Sequence, residues 1–299
     1  GAVITGRRGG ELAPLAIAGA RLRGIGYSSP IASAQVKSSV LLAGLLAEGT
    51  TSVTEPALSR DHTERLCGHF GIPVTRNGLT VSLTGQRAYA AKDLAVAGDL
   101  SAAAFFLVAA SLVPESDVTI TGVGVNPTRT GILEVLQEMG AHIEVLNPRV
   151  QSGEPVADLR VRSAPLRGGT LGPTRILKTI DEFPILCVAA ACAQGETIVS
   201  GAQELRVKES DRIATMATEL RRLGAAVEER PDGLRIVGGR PLRGAVCQSH
   251  GDHRVAMAMM VAGLVAHGET RVEDTACMAT SFPGFDKKLR GLLTPLGYG

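Results

Sequence analysis

The stretch Asp181-Glu182-Phe183-Pro184-Ile185-Leu186-Cys187-Val188-Ala189-Ala190-Ala191-Cys192-Ala193-Gln194-Gly195-Glu196-Thr197-Ile198-Val199 decides the fold class. It opens on a polar cluster, runs through small apolar residues, pauses at Gln194-Gly195 and resumes with β-branched residues. The run 185–193 has no polar face, which predicts a helix buried all round. Thr197-Ile198-Val199, after the glycine turn, predicts a strand. A helix buried on every side needs other elements packed around it, so the rest of the chain must supply similar pieces.

Three further stretches have the same plan. They run from Ser33-Ala34-Gln35-Val36-Lys37 to Val53, from Asp99-Leu100-Ser101 to Ile120, and from Asp252-His253-Arg254 to Val272. The four starts lie about 66, 82 and 71 residues apart, an internal repeat of one supersecondary unit. Second, amphipathic helices are marked by Ile132, Leu133, Val135, Leu136 and Met139, and by Ile213, Met216, Leu220 and Leu223. Gly71, Gly140 and Gly224 stand where such helices should end on a left-handed residue. A strand follows each glycine, then a second short strand (79–83, 159–161, 234–237) through turns expected at Asn77-Gly78 and Asp232-Gly233.

The fold class expected is therefore α/β, with repeated βαβαββ-type units that place helices inside and sheets outside. Units are expected over 32–86, 94–168, 175–244 and 248–299. The polar stretch 86–93 is the expected junction between two domains, 1–90 and 91–299. Gly1-Ala2-Val3-Ile4 matches the glycine-plus-strand that elsewhere follows a second helix, so the sequence reads as starting in mid-unit. The expectation is a fragment of a longer protein, N-terminally truncated or split, with a partner in the missing N-terminal segment or a complementary chain.

Composition narrows the function classes. The 299 residues suffice for about two domains. The chain is 44% hydrophobic, 20% charged and 3% aromatic with no Trp, so its core must be built from Ala, Val, Leu and Ile. A net charge of +2, with Arg scattered and no aromatic interleaving, argues against nucleic acid as a partner and fits small anions better. Cys67, Cys187, Cys192, Cys247 and Cys277 include no C-x-x-C pair, which indicates neither a disulfide framework nor a zinc knuckle. Cys187 and Cys192 read as small buried hydrophobes. A reducing, cytoplasmic location is the default. No basic-then-apolar leader opens the sequence, and the longest uncharged apolar run, 255–266, is too short to cross a bilayer, so no membrane partner is expected.

Chemistry should gather at the helix starts. If the buried helices point the same way, their unpaired N–H groups and dipoles converge into a field that attracts anions. Ser33-Ala34-Gln35, Asp99 with Ser101, Asp181-Glu182 and Asp252-His253-Arg254 would line it. A single Asp at such a start is equally an N-cap, and His253 equally a structural histidine. In Arg206-Val207-Lys208-Glu209-Ser210-Asp211-Arg212, read as the start of a second helix, Lys208, Glu209 and Arg212 share one face. Two cations beside a carboxylate could hold a phosphate next to an acid; the same spacing also describes an exposed ion pair of little energetic weight.

Taken in order, Ser33–Ser38, Asp61-His62-Thr63-Glu64, Asn126-Pro127-Thr128-Arg129-Thr130-Gly131, Asp181-Glu182-Phe183-Pro184, Arg206–Arg212, Asp252-His253-Arg254 and Ala279-Thr280-Ser281-Phe282-Pro283 resemble the EPSP synthases. These are the 3-phosphoshikimate 1-carboxyvinyltransferases of the shikimate pathway of aromatic amino acid biosynthesis. The Ser-Ala-Gln form resembles the bacterial class that includes glyphosate-tolerant members, and assigns no tolerance to this chain. The resemblance implies an enolpyruvyl transferase fold of two inverse α/β barrel-like domains closing over shikimate 3-phosphate and phosphoenolpyruvate, with no cofactor and no metal. It implies Asp181 as the base at the shikimate hydroxyls, Glu209 as proton donor and acceptor at the methylene carbon, and Lys208 beside both substrates. It makes Arg212 and Arg254 the phosphoenolpyruvate clamp. Ser33 and the Ala34 backbone would take the shikimate phosphate, with Gln35 between the substrates and Arg60 a further phosphate contact. Asp252 and His253 complete the set. Where many members place a lysine near the C-terminal Phe-Pro, this chain has Thr280-Ser281, so no lysine role carries over. Two alternatives stand beside this: a non-catalytic fragment or half of a split protein, and the sister UDP-N-acetylglucosamine enolpyruvyl transferase, whose loop cysteine has no counterpart among the five cysteines. The chain alone is expected to be inactive without its N-terminal part.

Overall fold

Runs of small apolar residues with no polar side become the buried helices of the larger core. The structure, a computed structural model, describes residues 1–86 and 88–293. Arg87, within the expected junction, and residues 294–299, at the end of the last expected unit, lie outside the described residues. By internal contacts the chain divides into Gly1–Val96 with Val150–Glu154, and Ala97–Arg149 with Pro155–Gly299.

The first unit contains the hairpin β1 (Val3–Arg7) and β2 (Leu12–Ala18), then β3 (Gly26–Ser28), α1 (Ala34–Gly44), β4 (Thr50–Thr54), α2 (His62–His69), β5 (Val74–Asn77) and β6 (Thr80–Thr84). Its four-stranded sheet has the order β3-β4-β6-β5, with β3 parallel to β4 and the other pairs antiparallel. A small core of Leu41, Val53, Cys67, Ile72, Val81 and Leu83 lies between this sheet and the helices.

The second unit contains α3 (Leu100–Leu112), β7 (Asp117–Gly124), α4 (Gly131–Glu138), β8 (His142–Gln151) and β9 (Glu154–Arg162), the tip of the β8–β9 hairpin grouping with the first unit. It continues through β10 (Thr170–Leu171), α5 (Pro173–Lys178), α6 (Phe183–Cys192), β11 (Glu196–Val199), α7 (Arg212–Arg222), β12 (Ala226–Arg230) and β13 (Gly233–Val237). It ends with β14 (Val246–Gln248), α8 (His253–Gly263), β15 (Arg271–Glu273) and α9 (Phe285–Leu293).

The repeat is visible in the sheets. The order β10-β11-β13-β12, with β10 parallel to β11, reproduces the arrangement of β3, β4, β6 and β5. In the β7-β9-β8 sheet a single parallel bridge, Gly98 to Val123, stands where the leading strand would be. The register sets Thr197 opposite Ile236 and Val199 opposite Leu234, and all four side chains are buried. That alternation is what a sheet covering a helix requires.

α3, α6 and α8 pack on one another and form the centre of the large core. Their residues are buried around nearly the whole circumference, whereas α4 and α7 bury one stripe. Gly71, Gly140 and Gly224 end α2, α4 and α7 with φ of +76°, +97° and +84°, the left-handed conformation that only glycine adopts without a Cβ penalty. Two turns differ by one residue from expectation. Asn77 pairs with Thr80 and Arg230 with Gly233, so the loop residues are Gly78-Leu79 and Pro231-Asp232. Burial pushes the Cys187 thiol up and that of Cys192 up to about 11, as inert apolar cysteines require. No helix among the described residues is long and apolar enough to cross a membrane.

Candidate active site

In the second unit the starts of α3, α6 and α8 carry most of the candidate residues, and their side chains form two groups: Asp99, Ser101, Asp181 and Glu182 around Arg129, and Asp252 with Arg212, Ser210 and, through Arg212, Glu209. Asp252 caps α8, its Oδ1 accepting from the Arg254 N–H at 2.9 Å. The same carboxylate accepts from Arg212 Nε at 2.8 Å and Arg212 Nη2 at 3.4 Å, and from Ser210 Oγ at 3.1 Å. Arg212 and Asp252 expose 1% and 0% of their side chains, so this is a buried, nearly bidentate pair. Arg212 Nη2 also holds Glu209 Oε2 at 2.7 Å, and Glu209 remains 48% exposed.

Lone burial would drive Asp252 toward neutrality and is the largest single effect on it. The Arg212 guanidinium, the Arg254 N–H and Ser210 together outweigh that, and hold its carboxyl below the usual carboxylate range. His253 is pushed below the ordinary histidine value, chiefly by burial and then by Arg254; Asp252 and Glu209 pull the other way. The Arg254 guanidinium lies within electrostatic reach of Glu182 and His253, and among the described residues no carboxylate is within ion-pair distance of it. It is a half-buried cation.

The helix-start reading of Arg206–Arg212 is corrected here. Gln203–Val207 form a 3-10 turn, Lys208 is extended (φ −79°, ψ −157°), and α7 begins only at Arg212, behind the Asp211 cap that accepts from Ala214 N at 3.0 Å. The capping preference of Asp211 wins over helical continuation, so Lys208, Glu209 and Arg212 do not share a helical face. Glu209 still meets Arg212, but Lys208 Nζ pairs with Glu204 instead. What holds the loop is Arg206, through Asp211 Oδ2 at 2.8 Å, Glu229 Oε1 at 3.1 Å, and the carbonyls of Pro231 (2.8 Å) and Arg230 (2.7 Å).

At the start of α6, Asp181 lies on a 3-10 turn and its Oδ2 is 3.5 Å from Arg129 Nη1. Its neighbour Glu182 is 3% exposed, accepts from the Ser101 hydroxyl, and sits 3.6 Å from Arg129 Nη2. Burial, first, pushes the Glu182 carboxyl up, against the pull of Arg129 and Ser101. Arg129 has no assigned role in the sequence reading, although its motif was quoted there. The signal was available: an arginine directly after the Asn-Pro-Thr turn and before the glycine that opens α4.

The remaining candidates lie in the first unit. Ser33 caps α1, its Oγ accepting from Val36 N at 3.4 Å, and its own N–H donates to Glu55 Oε1 at 3.1 Å. Ala34 and Gln35 open the helix, Ala34 half-buried and Gln35 exposed; Arg60 is half-buried in the turn before α2. Beneath them lies Lys37, 1% exposed, with Nζ 3.1 Å from Glu55 Oε2 and 2.8 Å from Glu64 Oε1. A lysine this deep is tolerable because two carboxylates share its charge.

Residues 1–289 match the family described as EPSP synthase (3-phosphoshikimate 1-carboxyvinyltransferase). The chain belongs to the EPSP synthase family. A 3-phosphoshikimate 1-carboxyvinyltransferase of Gloeobacter violaceus is 58% identical over 289 residues, covering 97% of this chain and 67% of the relative. One from a Synechococcus strain is 57% identical over 297 residues, covering 99% of this chain and 67% of the relative. The chain thus spans about two thirds of the length of these curated relatives. The EPSP synthase structure from Acinetobacter baumannii superposes with a TM-score of 0.91 at 45% identity, over 98% of this chain and 68% of that one.

Proposed function

We propose that this chain carries a large part of the site for enolpyruvyl transfer from phosphoenolpyruvate to the 5-hydroxyl of shikimate 3-phosphate, giving EPSP and inorganic phosphate. The observation that carries the reading is the cluster at the starts of α7 and α8. A buried Arg212–Asp252 pair fixes Glu209, and Arg254 stands beside it with no carboxylate in ion-pair contact among the described residues. The names and identities of the relatives supply the reaction.

In this reading Asp181 takes the proton from the 5-hydroxyl as its oxygen bonds to the central carbon of the enolpyruvyl group. Glu209 delivers a proton to the methylene carbon in the same addition. In the elimination Glu209 recovers that proton, the carbon–phosphate oxygen bond breaks, and the proton held by Asp181 leaves with the phosphate. Arg254 and Lys208 balance the charge of phosphoenolpyruvate. Arg212 is already committed to Asp252 and Glu209, so it aims Glu209 and reaches a substrate oxygen only as the Glu209 contact opens. Ser33, the Ala34 N–H, Gln35 and Arg60 take the shikimate phosphate and ring, at the start of α1. Residues 1–90 would belong to one domain of the whole protein and 91–299 to the other.

The test is phosphate release from phosphoenolpyruvate, measured with and without shikimate 3-phosphate. It is run on the 299-residue chain alone and mixed with the remaining third of a curated relative. We expect turnover to depend on that complement. Release that needs shikimate 3-phosphate and is abolished by Arg254→Ala supports the reading; release indifferent to either refutes it.

A further inference from the structure

Arg129 takes none of the roles above, yet the fold spends several contacts on placing it. Asn126, buried to 1%, accepts from Thr128 N at 2.9 Å and Thr128 Oγ1 at 2.7 Å, while its carbonyl accepts from Arg129 N at 2.8 Å. That turn rests directly on the segment preceding Asp181. A Cβ on Gly131 would lie 2.7 Å from Lys178 Cβ, 2.9 Å from the Lys178 carbonyl oxygen and 3.0 Å from Thr179 Cγ2. Only glycine allows this approach, and the approach brings the Arg129 guanidinium to the start of α6.

The guanidinium, 13% exposed, is then enclosed by acceptors from two helix starts. Nη1 faces Asp181 Oδ2 at 3.5 Å. Nη2 donates to the Ser101 hydroxyl and lies 3.6 Å from both Glu182 Oε1 and Asp99 Oδ1. Ser101 passes the contact on, donating to Glu182 while its backbone N–H donates to Asp99 Oδ1 at 3.0 Å. A hydroxyl can accept one such bond and donate another, so the chain Arg129–Ser101–Glu182 is consistent in its protons. One planar fork therefore addresses Asp181 with one nitrogen and the buried Ser101–Glu182 pair with the other. A lysine, a single point charge, cannot do both.

We propose that Arg129 is a positioning residue for Asp181, held in place by Ser101 and Glu182, so that the carboxylate presents a fixed oxygen to the hydroxyl it deprotonates. The catalytic half of this rests on the reading of Asp181 as the base. Arg129 touches neither reacting atom; it acts through Asp181.

The test is a double-mutant cycle in the turnover assay, joined to a measurement that needs no turnover. Arg129→Lys should lower kcat about 10- to 100-fold, the scale of a hydrogen bond to a charged group, with KM for phosphoenolpyruvate changed less than about threefold. In an Asp181→Asn background the same substitution should change kcat less than about twofold, because the two act as one unit. An unchanged kcat in Asp181→Asn alone refutes the base assignment. A lowered kcat there, with the full Arg129→Lys loss repeated in the double variant, refutes the Arg129 proposal alone. In the 299-residue chain labelled with 13C at Asp Cγ, the Asp181 resonance should move in both Arg129→Lys and Ser101→Ala. A resonance that stays in place in both overturns the proposal.

Discussion

Replacing Asp252 by Ala should be among the most damaging single changes in the second unit. Its carboxylate serves the fully buried Arg212 through Nε at 2.8 Å, caps α8 through Arg254 N at 2.9 Å and receives Ser210 Oγ at 3.1 Å. Stripping a buried cation of its partner costs about 3–5 kcal/mol. Arg212 keeps Glu209 at 2.7 Å, a half-exposed partner that still compensates part of its charge, so the lower end, about 3 kcal/mol, applies. Loss of the cap adds about 1 kcal/mol, for a total of about 4 kcal/mol. Because the chain divides into two units, native-state hydrogen exchange is a better assay than a single unfolding midpoint. Slow amides of α7 and α8 should exchange about a thousand-fold faster. Asp252→Asn, which can still cap α8, should lie between wild type and the Ala variant. The carboxyl titrates below its ordinary range, so its contribution is complete above about pH 4 and disappears as pH falls further; both variants should lack that acid dependence. A loss below about 1 kcal/mol in Asp252→Ala would refute the reasoning, since a buried pair cannot be both partner-dependent and free to remove.

Other outcomes follow from the same geometry. Arg206→Ala should loosen the loop that carries Lys208 and Glu209, with faster exchange at the Ala214 amide and a drop in kcat, while α3 and α6 keep their protection. Unaltered exchange at Ala214 would mean that Asp211 holds its cap without Arg206. His253 should titrate below the ordinary histidine value in a proton-detected NMR titration. It therefore adds stability that is complete above about pH 6.5 and lost as pH falls through its own value; a midpoint above 6.5 would contradict the burial argument.

Much of this fold is legible in the sequence because the pattern is redundant. The runs after Asp99, Asp181 and Asp252 have no polar face, and a helix with no polar face can only be interior, as α3, α6 and α8 are. Gly140 and Gly224 mark helix ends through a backbone requirement that does not depend on packing. The candidate site was less legible. Lys208, Glu209 and Arg212 have helical spacing, but Asp211 competes for the cap and delays the helix, and nothing in the spacing reports that competition. Arg129 was missed for a different reason. Its partners, Ser101, Asp181 and Glu182, lie on two other helix starts, and only the close approach of Gly131 to Lys178 shows that the three meet. Residue types identify a chemistry, whereas which residue serves which depends on contacts between segments far apart in sequence.

Under the proposed function, the acid–base pair serving enolpyruvyl transfer is Asp181 and Glu209, both in this chain. The most direct test is Asp181→Ala in an assembly that releases phosphate from phosphoenolpyruvate and shikimate 3-phosphate, with hydrogen exchange recorded on the same sample. The variant should show a kcat at least about a hundred-fold lower, the scale of general-base catalysis, with protection of α3, α6 and α8 unchanged. Wild-type turnover by the variant would contradict the assignment.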